Sequence, residues 1–197
     1  MIKYFETQLQ TISNALHSMN DAAFSKLLDQ SCDTIQANNK IIVSGLGKNV
    51  PICEKFVGSM VSLGMNACFM HTNSAVHGDL GVVKDGDLVI LLTKSGKTVE
   101  SVYLTELLMQ RQVKLWLLTF SHNSILTEKI DNRIILDLEH EGDQWNIMPN
   151  NSTTINLMVL QGLAMKLAER QHIDINVLKS NHPGGYIGKL LQKEDAL

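Results

Sequence analysis

Five short runs, "KIIVSG", "NACFM", "DLVILLT", "VKLWLLT" and "RIILDL", are apolar almost throughout and alternate with stretches of helical periodicity. A strand with one face in water alternates apolar and polar residues, whereas a strand covered on both faces does not. Unbroken apolar runs separated by helices therefore predict an α/β chain with a five-stranded parallel sheet, right-handed crossovers and helices on both faces. The crossover helices are expected from the first run to about Leu63, over "VESVYLTELLMQ" (99 to 110), where Val102, Leu107 and Leu108 share a face, and over "NSILTEKI". Ahead of the sheet, the first 38 residues read as a helical hairpin with apolar positions Leu9, Ile12, Leu16 and Met19, then Phe24, Leu27, Leu28 and Ile35. Its break falls at "NDAAF", where Asn20 or Asp21 can cap. One long amphipathic helix is expected from Ser152 to about Gln171, before a tail containing "NHPGGYIGKLL". No linker, repeat or low-complexity segment divides the 197 residues, so one domain is expected, residues 1–38 as helices and 40–191 as a ligand-binding core.

Composition narrows the class. Charged residues are 19% of the chain, and no apolar stretch approaches the roughly 18 residues that span a bilayer. The start, "MIKYFETQLQ", lacks the apolar segment of a secretory signal, and Cys32, Cys53 and Cys68 have no metal spacing, so reduced thiols and a cytoplasmic location are expected. A net charge of -3 without a basic run argues against nucleic acid as a partner. Met60, Met65 and Met70 read as core fillers and Trp116 as a buried strand residue, while Trp145 belongs to a loop.

Ligands of open parallel sheets bind beyond the carboxyl ends of the strands. Those ends carry the chemical residues of this chain. The first run exits through Ser44, Gly45, Gly47 and Lys48, the third through "TKSGKT" (93 to 98), and the fifth through "LDLEHEGD" with Glu141. In the third exit, Thr93, Ser95, Gly96 and Thr98 precede a helix, and free amides, hydroxyls and the helix dipole together make an anion site. The ending "SGKT" imitates a P-loop, but the glycine needed five positions before Gly96 is Leu91, inside an apolar run, so a phosphate is expected and a nucleoside triphosphate is not. "SGLGKN" would need a third glycine at Val50, and "MHTNSAVH" stands where an acidic ribose ligand belongs, which disfavours NAD. His71, His77 and Asp79 match no closed zinc spacing, so neither a metal nor another cofactor is expected.

Taken in order, "SGLGKN", "SAVHGDLG", "TKSGKT", "PNNSTT" and "HPGGYIGKLL" resemble the sugar isomerase (SIS) domain of arabinose 5-phosphate isomerases over about residues 40 to 191. "HGDLG" and "HPGG" are its specific parts. The resemblance implies a flavodoxin-like three-layer α/β/α fold and interconversion of D-arabinose 5-phosphate with D-ribulose 5-phosphate. It places the family's catalytic positions on Lys48, Glu100, Glu141 and His182, and substrate contacts on Ser44, Gly47, His77, Thr93, Ser95, Gly96, Thr98, Ser152 and Thr153. Two stretches depart from the family pattern: Lys97 replaces the usual glutamate, and "GKNV" replaces "GKSG". Many members continue into paired CBS modules; the end at Leu197 implies the catalytic module alone.

An aldose to ketose isomerisation needs a base, a proton shuttle and a cation around an enediol. Glu100 and Glu141 are both available as the base, with carboxyl pKa values raised toward neutrality by a partly dry crevice. Lys48 suits the enediolate or the phosphate, and His182 suits ring opening. Each also has a plain structural reading: a solvated helix glutamate, a surface lysine, a histidine bonded to backbone. His77 is expected at the site edge and Trp145 over the sugar. Alternatives are isomerisation of another sugar phosphate, such as a hexulose phosphate, and a non-catalytic phosphosugar sensor. Surplus apolar helix surface predicts a homo-oligomer, most simply a tetramer, with His182 crossing to a neighbour's site.

Overall fold

All of the expected strands pair in one parallel sheet, in the order β2-β1-β3-β4-β5. They are β1 (Ile41–Gly45), β2 (Ala67–Phe69), β3 (Leu88–Thr93), β4 (Lys114–Thr119) and β5 (Arg133–Ile135). The structure is a computed structural model that describes residues 1–193; the last four residues of the expected domain lie outside the described residues. The helices are α1 (Ile2–His17), α2 (Asp21–Gln36), α3 (Val50–Ser62), α4 (Thr72–Ala75), α5 (Val99–Leu108), α6 (Ile125–Lys129), α7 (Asn151–Arg170), α8 (Ile175–Asn181) and α9 (Gly185–Lys193).

The period of two explains why the runs are apolar throughout. Ile41, Val43, Leu88, Ile90, Leu92, Trp116, Leu118 and Ile134 point to one face, where α2, α3 and α7 supply Leu27, Phe56, Met60, Ile155, Leu160 and Leu163. Ile42, Val89, Leu91 and Leu117 point to the other, against Ala75, Leu104, Leu108 and Leu126. The result is the expected three-layer sandwich with an N-terminal helical hairpin. Met60, Met65, Met70 and Trp116 are buried as expected, and the Trp116 indole donates to Gln30 Oε1 at 2.9 Å. Among the described residues no helix is long and apolar enough to cross a membrane.

Three local expectations change. In α5 the inward residues are Ser101, Leu104, Thr105 and Leu108, while Val102 and Leu107 are half-buried, because the helix lies on its small hydroxyl-bearing face. In α1 the buried residues are Thr11 and Ala15, and Leu9 is 66% exposed. The run "RIILDL" pairs only over Arg133–Ile135, because the chain then turns toward α1, where Ser18 Oγ accepts from the Asp137 amide at 2.8 Å. Of the two cap candidates, Asn20 acts, accepting from the Ala23 amide at 2.9 Å.

At the opposite end of the sheet from the strand exits, Asp87 is fully buried and takes four donors. Its Oδ1 accepts from the Lys40 amide (3.0 Å) and Asn39 Nδ2 (3.3 Å), and its Oδ2 from Lys40 Nζ (2.7 Å) and the Lys84 amide (2.8 Å). This cluster ties the entry of β1 to the entry of β3.

Candidate functional site

The exit of β3 is a tight turn that packs on α6. Gly96 has φ +62, and a Cβ there would stand 2.1 Å from Ser124 Oγ, so only glycine fits. Thr93 Oγ1 accepts from the Gly96 amide at 3.3 Å, and Ser95 Oγ accepts from the Lys97 amide at 3.3 Å. Thr98 is the N-cap of α5, and its side chain makes no capping bond, which leaves its hydroxyl and the first-turn amides open to an incoming anion.

Glu100, in that first turn, joins Thr72, Asn73, Val76, His77 and Tyr103 around a cavity of about 270 Å³. His77 thus lines this cavity, after the α4 turn that His71 caps by accepting from the Asn73 amide at 3.3 Å. Ser44 lies beneath: it is fully buried, and its hydroxyl is bonded to Thr72 Oγ1 at 3.0 Å rather than open to a ligand.

Glu141 arrives from the far side of the same turn. It is fully buried, with Lys94 Nζ 2.7 Å from Oε1. Its Oε2 accepts from the amides of Asn150 (3.1 Å) and Ser152 (2.9 Å), at the N-terminus of α7. Burial alone pushes this carboxyl up, but the Lys94 ammonium and the Ser152 amide outweigh it and hold the carboxyl below its ordinary value. The expected upward shift is therefore corrected for Glu141, because a cation and two amides all favour the charged form. Ser152 and Thr153 are likewise engaged within the protein: Ser152 through its amide on Glu141, Thr153 through Oγ1 on the carbonyls of Pro149 (3.1 Å) and Asn150 (2.9 Å).

Lys48 is exposed in a short 3-10 turn, Gly47–Asn49, that Gly47 enters with φ +56. Asn49 Oδ1 accepts from Asn156 Nδ2 of α7 at 3.0 Å, so α7 touches both the β1 exit and Glu141. His182 is not brought to this crevice. It follows α8, its Nδ1 is 2.8 Å from the Leu178 carbonyl oxygen, and the neighbouring Asn181 donates to the Ser62 carbonyl at 3.2 Å. Ser62 ends α3, and Lys48 precedes its start; a helix of 13 residues spans about 20 Å. Trp145 is 64% exposed on its loop.

Sequence reasoning passed over Lys94, Asn150 and Asn49. Lys94 lies inside the quoted phosphate turn, but a lysine among hydroxyls reads as a solvated residue until the fold brings Glu141 to it. A larger groove, about 550 Å³, runs between α1 and the segment Pro149–Thr154, lined by Tyr4, Phe5, Leu9 and Ile12 among others. It carries no acid or base. Among the described residues no three His, Cys, Asp or Glu side chains cluster closely enough to hold a metal ion.

A family model described as the SIS domain matches residues 34–166. An uncharacterized protein of Chlamydia trachomatis is 35% identical over 184 residues, 93% of this chain and 55% of the relative. Arabinose 5-phosphate isomerase KdsD of Pseudomonas aeruginosa is 29% identical over 171 residues, 85% of this chain and 52% of the relative. The chain thus spans about half the length of the curated relatives it matches. An Escherichia coli protein solved in complex with arabinose 5-phosphate superposes with a TM-score of 0.83 at 30% identity, covering 92% of this chain and 95% of that one.

Proposed function

The chain belongs to the SIS domain family, and from that premise we propose that it is an aldose-ketose isomerase converting D-arabinose 5-phosphate to D-ribulose 5-phosphate through an enediol. The observation that carries this reading is a glycine- and hydroxyl-bearing turn at the uncapped N-terminus of α5 with a carboxylate on either side, Glu100 at the cavity and Glu141 behind Lys94. The turn binds the phosphate through Ser95, Gly96 and Thr98, and one carboxylate moves the proton between adjacent carbons. Lys48 offsets the negative charge of the enediolate. The names of the Pseudomonas aeruginosa and Escherichia coli relatives support the substrate. A coupled assay of the purified protein over pentose and hexose phosphates tests it: turnover is expected with arabinose 5-phosphate, and preference for a hexulose phosphate or turnover of none would overturn the assignment.

Ser95→Ala and Thr98→Val are expected to raise KM about fivefold each with kcat nearly unchanged, since each removes a neutral hydrogen bond worth about 1 kcal/mol to a group bound equally in ground and transition states. Steady-state kinetics checks this. Unchanged KM in both would move the phosphate elsewhere.

The protein works as a homo-oligomer, most simply a tetramer, in the cytoplasm. Exposed Ile2, Tyr4, Phe5 and Leu9 of α1 and Met158 and Met165 of α7 supply the apolar surface for assembly, and Cys32, Cys53 and Cys68 are unpaired thiols. His182, remote from its own crevice, completes the site of a neighbouring subunit. Mixed, subunit-exchanged Lys48→Ala and His182→Ala proteins are therefore expected to regain part of the activity that each lacks. A monomer by light scattering, or verified hybrids that stay inactive, would sink this arrangement.

A further inference from the structure

Glu141 is held in a way that leaves one oxygen for chemistry and puts one side chain in charge of it. Its Oε2 is fixed by the amides of Asn150 and Ser152, so the carboxylate cannot turn without losing both bonds. Oε1 is fully buried and lies 2.7 Å from Lys94 Nζ, an ion pair by distance that lacks the alignment of a hydrogen bond. Apart from that ammonium, Oε1 has no hydrogen-bond partner among the described residues. Lys94 is different: its side chain is 44% exposed, and it is rooted in the phosphate turn, where its carbonyl accepts from Thr119 Oγ1 (3.2 Å) and the Phe120 amide (3.3 Å). A fixed root and a flexible four-carbon stem let the ammonium swing between the carboxylate and an anion on the adjacent amides.

We propose that Lys94 is a positioning residue for the isomerisation: it keeps Glu141 ionised and aimed in the empty site, and yields Oε1 to the substrate hydrogen when the substrate phosphate draws its ammonium away. This rests on the isomerase reading above. The charged surroundings of Glu141 single out Lys94. On its own loop, Asp143 is turned to the amides of Trp145, Ile147 and Met148, and His140 accepts from the Gly142 amide. On α1, Gln8 is neutral and bonded to Asn151, and Asn14 donates to Glu139 of the loop. The first turn of α7 contains no acidic residue. Without Lys94, the burial that pushes the carboxyl up is opposed only by neutral donors, the Ser152 amide and side chain among them.

The test uses Lys94→Met and Lys94→Arg in the full chain. In Lys94→Met, the acid limb of the kcat/KM profile is expected to move to higher pH by about one unit or more, so that activity lost at neutral pH partly returns at alkaline pH. Lys94→Arg keeps a cation and is expected to restore the limb while changing KM. A merely structural role would lower the rate equally at every pH and leave the limb in place, which would overturn the proposal. A second measurement is independent of turnover: the titration of the Glu141 carboxyl by carbon-13 NMR, its signal identified by loss in Glu141→Gln. A midpoint unmoved in Lys94→Met overturns the proposal, as does a midpoint that moves while the rate profile stays. A native protein without turnover on any phosphosugar overturns the isomerase reading instead, and the NMR midpoint still decides whether Lys94 governs Glu141.

Discussion

Glu141→Gln is expected to lower kcat by about 10²- to 10⁴-fold while shifting the thermal midpoint by only a few degrees. The amide keeps the shape of the carboxylate, and its oxygen can still accept from the amides of Asn150 and Ser152. The Lys94 ammonium loses its partner but already has a solvent-facing side chain, so it relaxes into water rather than being stranded. What disappears is the lone pair on Oε1 that takes the proton. Glu100→Gln, at the cavity side of the turn, is expected to lose activity on the same scale, because isomerisation needs proton handling at two neighbouring centres. Steady-state rates beside a thermal melt separate the two effects. Near-native kcat in both variants would falsify the roles given to these carboxylates.

Asp87→Asn is expected to have the largest effect on stability, about 3–5 kcal/mol by denaturant unfolding. Both carboxylate oxygens accept from two donors, so either orientation of the amide presents an NH₂ group to N–H donors in a site closed to water. Lys40, only 15% exposed, is left without its counter-charge. The pH dependence follows in sign. Burial pushes Asp87 up, but the Lys40 ammonium, with the amides of Lys40 and Lys84 and the Asn39 side chain, holds it below the ordinary 3.8. A carboxyl with a depressed folded-state pKa contributes stability that is present above its unfolded value and lost as pH falls through the folded one. The gap between native protein and Asp87→Asn should thus stay constant down to about pH 4 and narrow below it. A gap that widens on acidification would contradict the pairing.

The sheet was legible because burial on both faces writes itself into uninterrupted apolar runs, and each such run became a strand. Boundaries were less so. The fifth residue of "RIILDL", Asp137, leaves the sheet because of a distant partner, Ser18, which no local pattern announces. The short helix α8 spans only seven residues, too few for a helical period to stand out, and its N-cap Asp174, whose Oδ1 accepts from the Asn176 amide, was the available signal. The turn of Thr93, Ser95, Gly96 and Thr98 between β3 and α5 was readable as a turn, because glycine and hydroxyls follow an unbroken apolar run and precede a helical pattern. The state of Glu141 was not. Its charge depends on Lys94, 47 positions earlier in the sequence (141 minus 94), and on amides of a helix that begins ten positions later (151 minus 141). Sequence position alone suggested a carboxyl raised by burial; three-dimensional neighbours reverse the sign.

The two outermost strands, β2 and β5, are three residues long, while the strands between them have five or six. An open sheet ends in unpaired backbone groups on which another polypeptide can extend the ladder, and short borders leave little to extend. Beyond β5 the next free amide is already taken by Ser18 Oγ. The hydrophobic strands needed for a parallel sheet are thereby kept in the interior, and the protein can be concentrated without offering a template for fibrils or for illicit strand exchange.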